Sequence, residues 1–487
     1  MPTECSAKPS EFARVDGRSV VAEFDGGAVT SDAGGLLLGA ADKAIGLVRR
    51  LAGCFRDARD GRFVESGSGE VVDCRGLWLL PGAIDAHVHS RDPGFPEKED
   101  WTSLTAAAAA GGVTTVLDMP NTVPAVDSAA LLEAKAERAA GRALVDFGLW
   151  GLVRSSSTPE MLEGLVSAGA VGLKAYLGYA YRRSQQAVTY TAALDDTDLE
   201  APPGYGTIAL LAPTLARSRA LVAVHAEDPE LLRLCARPLR AYDDVLTARP
   251  ALAEAIAIAA VGVIAAAGHL RLHLVHISSR EGLAAADAAR IAGADLSIET
   301  CPQYLWTTEA DFDRVGNALR MNPPVRTAAD QGALRRAVAA RDIDIIATDH
   351  APHTDEEKFG VELDRAHPGS PGVQTLLLSA LQLTRVMGAR DRLIRAVTSN
   401  VAERFGFAGR KGVIAPGADA DLVLVDPGAQ TVVAPESMHS RQKHGVLEGM
   451  TFDFAIRAVY SRGELVFSDG EVVGKTGRGR LVTPEKK

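Results

Sequence analysis

Eight short β-rich runs, separated by Ala- and Leu-rich helical patterns, occupy the chain from about residue 81 onward. They fall at 83–89, 113–119, 145–151, 171–177, 221–227, 270–277, 295–301 and 343–349. Strands this uniformly apolar are buried on both faces, which is the condition of a parallel sheet with helical crossovers. Eight alternations predict an α/β fold of the (β/α)8 TIM type over 81–410. Between the runs, "SLTAAAAAGG" is stopped by Gly111 and Gly112, and "SAALLEAKAERAAG" by Gly141, as helices commonly end on glycine.

The flanks have a different texture. "GADADLVLVDPGA" and "FAIRAVYSRGELVFSDGEVVG" read as short strands with Gly and Asp turns, and "GRFVESGSGEVVDCRGLWLL" before the barrel reads the same way. Segments 62–80 and 411–480 are therefore expected to form one small β-sandwich domain. Residues 178–206, after the fourth strand, make a connection long enough to be either a lid or a solvated insertion.

Composition excludes several classes. A net charge of −10 over 487 residues lacks the basic face that nucleic-acid binding requires. The most apolar stretch, "AEAIAIAAVGVIAAAG", is a small-residue pattern that reads as a packed helix, and no membrane span is expected. Cys5, Cys54, Cys74, Cys235 and Cys301 are odd in number and show no CxxC pairing, and "MPTECSAKPSEF" has no signal core. Both point to a reduced, cytoplasmic setting.

In such a barrel the chemistry sits at the C-terminal ends of the strands. His87 and His89, spaced i and i+2, point to one side of the first strand's end. The fourth strand carries Lys174 in an apolar run, the fifth His225, the sixth His276 and the eighth Asp349. Each alone has an ordinary structural reading, as a bonded core histidine, a snorkelling lysine or a turn-capping aspartate. Five strand ends of eight supplying metal-site groups together is a different observation. Imidazole suits zinc, and carboxylate oxygens complete such sites.

The segments "DAHVHSRDPG", "TTVLDMPNTVP", "GLKAY", "VHAED", "ETCPQYL", "MNPPVR" and "ATDHAPHT" resemble the amidohydrolase superfamily, and within it the dihydroorotases, with allantoinases and hydantoinases as cousins. The resemblance spans roughly residues 62–480. It implies a binuclear zinc centre, with His87, His89 and Asp349 on one ion, His225 and His276 on the other, and Lys174, carbamylated by CO2, between them. It further implies that Asp349 moves the proton of the attacking water to the leaving ring nitrogen, and that Arg91, Asn121, Asn322 and His353 contact the substrate. An arginine fork matches the carboxylate of dihydroorotate. Neutral rings, as in allantoin and hydantoin, have no use for it. "ETCPQYL", with Gln303 where a histidine is common, leans towards allantoinase. The readings carried forward are dihydroorotase first, an allantoinase- or hydantoinase-like enzyme second, and a non-catalytic structural relative third. The expected partners are a small-molecule substrate, a second copy of the chain and aspartate transcarbamoylase.

The first 61 residues depart from this pattern. "AEFDGGAVTSDAGGLLLGAADKAIGLVRRLAGCFRDARD" resembles the amino-terminal portion of an insertion-sequence transposase and covers none of that enzyme's catalytic core, so no transposition activity is expected. The expected cost is to the β-domain, which would lack its first strands and keep exposed edges.

Overall fold

The computed structural model describes residues 72, 74–189 and 196–485, together with a two-rung antiparallel pair of Ser10–Glu11 with Val21–Ala22. Apart from that pair, the N-terminal segment, its transposase-like portion and the start of the leading β-segment lie outside the described residues.

Eight parallel strands form the barrel sheet in sequential order: β1 Ala83–Val88, β2 Val113–Asp118, β3 Asp146–Val153, β4 Gly172–Tyr176, β5 Leu221–His225, β6 Arg271–Leu274, β7 Asp295–Thr300 and β8 Ile345–Ile346. A parallel bridge between Val88 and His350 joins the last stave to the first. The Asp85 carboxylate reinforces the seam, accepting from the Thr348 amide at 3.0 Å and its hydroxyl at 2.5 Å. The helix Trp101–Ala110 begins on an Asp100 capping box and ends where Gly112 takes φ of 76°. Ile84, Leu117, Trp150, Ala223, Val275 and Ile345 fill the barrel interior with Phe405 and Phe407.

β6 and β8 are shorter than the apolar runs predict. His276 and Asp349 both adopt positive φ, 43° and 49°, and a left-handed residue cannot continue the ladder. The runs end early because their last residues turn inward.

Trp78–Pro81 pairs antiparallel with Leu422–Asp426, which continues through Ala455–Ser461, Glu464–Ser468 and Glu471–Val472 as a five-stranded sheet. The segment before the barrel and the tail after it thus share one sheet of the β-sandwich domain. Alternation is regular: Trp78, Leu80, Val423, Val425 and Val459 join the main core, while Leu79, Leu422, Leu424 and Ala458 cluster on the other face with Cys74. Of the connection 178–206, the described residues 178–189 and 196–206 carry a small sheet. Ala180–Arg182 pairs with both Ala187–Thr189 and Leu199–Glu200, and Arg154 clamps this small sheet, its guanidinium 3.8 Å from the Tyr181 ring centroid and paired with Glu200.

One buried ion network joins the barrel to the β-domain. Lys411 reaches Asp146 at the start of β3 (2.5 Å), Asp419 (2.9 Å) and Asp421 (2.8 Å), and Arg462 meets Asp146 at 3.1 Å. These carboxylates hold the Lys411 ammonium well above the ordinary lysine range despite its burial. Removing one partner of a buried network strands the others in a low dielectric, at roughly 3–5 kcal/mol. Lys411→Ala is therefore expected to lower unfolding stability by about that amount in urea titration. A change below about 1 kcal/mol would mean that the network is not what joins the two units.

Candidate active site

The C-terminal mouth holds a cavity lined by His87, His89, Arg91, Asn121, Tyr176, Tyr179, His225, His276, Met321, Asn322 and Asp349, among others.

His87 and His89 present the same nitrogen to one point. The Nε2 atoms of His87 and His89 lie 3.3 and 3.0 Å from Asp349 Oδ1, and the donor atoms of all three residues fall within 4.8 Å of one another. The opposite nitrogens explain this. His87 Nδ1 lies 2.9 Å from the buried Glu299 carboxylate and can only donate to it. His89 Nδ1 lies 2.7 Å from Asn121 Oδ1, again a pure acceptor. Each ring is thereby held in the tautomer whose Nε2 carries a lone pair, as a metal ligand requires. Burial pushes the His89 pKa down to about 4, so it is neutral at physiological pH.

A second pair stands opposite. His225 Nδ1 and His276 Nε2 face each other at 2.9 Å, and burial lowers both pKa values. Glu227 accepts from His225 Nε2 at 2.7 Å and is itself gripped by Arg249, so this ring offers Nδ1 to the mouth. Glu299 reaches here too, accepting from the His276 amide at 3.1 Å and from His273 Nε2 at 3.1 Å.

Lys174 lies at the centre. Its side chain is fully buried, its Nζ has no hydrogen-bond partner, and burial pushes its pKa down to about 8. His276 Nδ1 is likewise buried without a partner. A buried amine and imidazole nitrogen without partners, beside acceptor-poised histidines and a carboxylate, are donors in search of a cation-bearing group. The donor set fits the binuclear metal centre of this class.

On the opposite wall, Arg91 takes φ of 60° and is nearly buried. Its Nε donates to Pro352 O at 3.2 Å and its Nη2 lies 3.2 Å from His353 Nε2. His353 is thus behind Arg91 rather than on the cavity wall, whereas Asn322 lines the cavity and accepts from Arg320 at 2.6 Å. His353, Glu357 and His367 also bring three donor atoms together. Lys98 sits 2.7 Å from Glu357 and 3.5 Å from His353 Nδ1, and burial, with Arg91, Lys98 and Lys358 nearby, depresses the His353 pKa.

All ten residues singled out from sequence converge on this mouth or immediately behind it. Glu299, Glu227, Arg249, Tyr176 and Tyr179 were missed. Glu299 in "DLSIETC" gave the same signal as Lys174, a charge in an apolar strand; Glu227 stands at i+2 from His225; Arg249 gave none.

Fold and site together define a metal-dependent hydrolase on a (β/α)8 barrel. The chain belongs to the amidohydrolase family, whose model ("Amidohydrolase family") matches residues 78–181 and 253–466. It is 36% identical over 435 residues to an allantoinase of Rubrobacter xylanophilus, covering 88% of this chain and 92% of that one. It is 36% identical over 403 residues to a dihydroorotase of Halobacterium salinarum, covering 81% and 87%. The solved L-hydantoinase (dihydropyrimidinase) of Arthrobacter aurescens superposes with a TM-score of 0.78 at 26% identity, covering 87% and 92%. A second model, "Transposase DDE domain group 1", matches residues 12–91. Its last residues run into Trp78–Pro81 and β1, which here belong to the hydrolase fold.

Second-sphere carboxylates that orient metal-binding histidines change metal affinity by about 10–100-fold when removed. Glu299→Gln is expected to weaken divalent-metal binding by that factor in competition with a chromogenic chelator. Unchanged affinity would dispose of the orienting role.

Proposed function

We propose that the chain opens and closes a cyclic amide ring that bears a carboxylate, interconverting dihydroorotate and N-carbamoyl-L-aspartate in pyrimidine biosynthesis. The observation that carries this reading is Arg91: a nearly buried guanidinium, fixed through Nε and Nη2, on the cavity wall facing the metal ligands. No described residue bonds its Nη1. A buried, pre-oriented fork is suited to a substrate carboxylate.

His87, His89 and Asp349 would hold one zinc ion and His225 and His276 the other. At a pKa of about 8, a useful fraction of Lys174 is the neutral amine that adds to CO2, and the resulting carbamate would supply an oxygen to each ion. Bound divalent cations at such a site bring the ionisation of water towards neutrality and polarise the substrate carbonyl. The remaining steps belong to the protein. Asp349 accepts a proton from the attacking water and returns it to the leaving ring nitrogen. Arg91 and Asn322 fix the ring at its carboxylate end, so that the scissile carbonyl meets the attacking water in line. Asn121 acts through His89, to which its oxygen is committed. A cytoplasmic setting accords with free thiols at Cys74, Cys235 and Cys301.

A second reading, hydrolysis of allantoin, draws support from the name of the Rubrobacter xylanophilus relative. The two readings diverge at Arg91. The zinc-loaded protein is expected to turn over dihydroorotate faster than allantoin or hydantoin. Arg91→Ala is expected to cost dihydroorotate on the order of 100-fold in kcat/KM, the worth of a charged hydrogen-bonded contact, and a neutral ring only a few-fold. Equal losses on both, or a wild-type preference for allantoin, would transfer the assignment to the second reading. Asp349→Asn is expected to reduce kcat by about 10²–10⁴-fold, the scale of general-base catalysis, while zinc content measured by atomic absorption stays above one equivalent. Near-normal turnover in that variant would remove Asp349 from the proton path.

A further inference from the structure

Arg320 stands two residues before Asn322 and turns inward with no acid to meet it. Among the described residues its guanidinium bonds only to Asn322 Oδ1, at 2.6 Å, and to Met321 O, at 3.2 Å, both through Nη1. Its Nε is buried without a partner. Burial, with Arg249 close by, pushes its pKa down to about 10, so the group is still a cation at physiological pH. Arg249 is itself committed to Glu227. The backbone of Arg320 is held as firmly, its carbonyl accepting from the buried Lys358 Nζ at 2.6 Å and from the Gly369 amide at 3.0 Å. Placing a charge in such surroundings is costly. Its one short bond goes to a neutral amide on the cavity wall.

An asparagine amide has two unlike ends, an oxygen that only accepts and an NH2 that only donates. A guanidinium only donates, so the end that faces Arg320 is the oxygen. A half-turn of the amide would set NH2 against a cation. Nδ2 is therefore the end left for the cavity, and no described residue bonds it.

We propose that Arg320 is a positioning residue that fixes the polarity of the Asn322 amide, so that the ring must meet it with a hydrogen-bond acceptor. Asn121 is set in the same sense, because its oxygen is committed to His89 Nδ1 at 2.7 Å. With Arg91, which also only donates, three side chains of the cavity offer hydrogens and no lone pair. Carbonyl and carboxylate oxygens are read by these residues, and a ring N–H turned towards them is refused. The inference rests on the cyclic-amide part of the reading above and not on the carboxylate: the acceptor at Asn322 is a carboxylate oxygen of dihydroorotate or a carbonyl oxygen of a neutral ring.

The test is steady-state kinetics of the metal-loaded full chain, on whichever of dihydroorotate, allantoin and hydantoin the wild type turns over fastest. Arg320→Met keeps an apolar stem and removes the donor. It is expected to raise KM about 5- to 10-fold, the worth of one hydrogen bond, with kcat held within about threefold and metal content unchanged. In an Asn322→Ala background the same substitution is expected to cost nothing more, since the amide it orients is gone. Asn322→Asp keeps an acceptor for Arg320 but faces the ring with a second oxygen, and is expected to lose on the order of 100-fold in kcat/KM. Additive losses in the double variant, or a loss confined to kcat, would overturn the proposal. So would near-normal turnover by Asn322→Asp, which would put oxygen rather than NH2 against the ring; this result decides alone where Arg320→Met does not fold. A wild-type preference for a neutral ring would displace the carboxylate reading and leave these outcomes as they stand. A wild type inert to all three rings would remove both.

Discussion

The Glu299 carboxylate is the contact on which the rest of the site depends. It is fully buried, a position that by itself would force it to take up a proton. It stays ionised because His87, His273 and the His276 amide all direct hydrogens at it, and the two histidines hold it far below the carboxylate range. Those bonds tie β1, β6 and β7 together inside the barrel. They also decide which nitrogen of His87 faces the mouth. One interaction thus does both jobs, closing the barrel's polar interior and presenting a ligand in its correct tautomer, and neither can be altered alone.

The fold stores strain at the same place. Arg91, His276 and Asp349 are non-glycine residues at positive φ, each costing on the order of 1–3 kcal/mol. Each lies just past its strand, where the left-handed turn swings the side chain off the sheet direction and into the mouth. The surroundings over-determine these turns. Ser90 donates to Asp118 through its amide at 2.6 Å and its hydroxyl at 2.7 Å, and Lys135 pins that carboxylate at 2.6 Å, so the Arg91 turn cannot relax. Glu254 does the same for the turn after His276. Lys174 Nζ and His276 Nδ1, buried without partners, add to the cost. A site built this way gains stability when its ligands close on cations, so metal binding and folding free energy are linked here.

Much of this was legible in the chain itself, for a definite reason. A parallel barrel needs strands apolar on both faces, so any charge within one stands out, and Lys174 and the paired His87 and His89 were visible on that ground. Glu299 gave the same signal and was passed over because it holds ligands rather than being one. Arg249 was invisible: it reaches Glu227 across 22 residues from a helix end, where arginine is commonplace. The connection after β4 looked like a lid or a loose insertion because local pattern cannot report that Arg154, on β3's far side of the turn, stacks on Tyr181 and holds Glu200. The positive φ values were equally hidden, since they arise from closure of the whole barrel and not from the residues that adopt them.

The choice of substrate follows the same division between scaffold and site. Identity of 36% to an allantoinase and 36% to a dihydroorotase counts hundreds of positions that build staves, helices and caps common to both. On the reading proposed above, whether a ring is accepted with or without a carboxylate turns on the potential at one wall of the cavity. Here that wall is Arg91, its side chain held by Pro352 and His353, with the Lys98–Glu357 ion pair behind it. On that reading, a neutral ureide would leave the free edge of the Arg91 guanidinium without the charged partner that a carboxylate supplies, and the arrangement would discriminate by penalising the uncharged ring as much as by attracting the charged one.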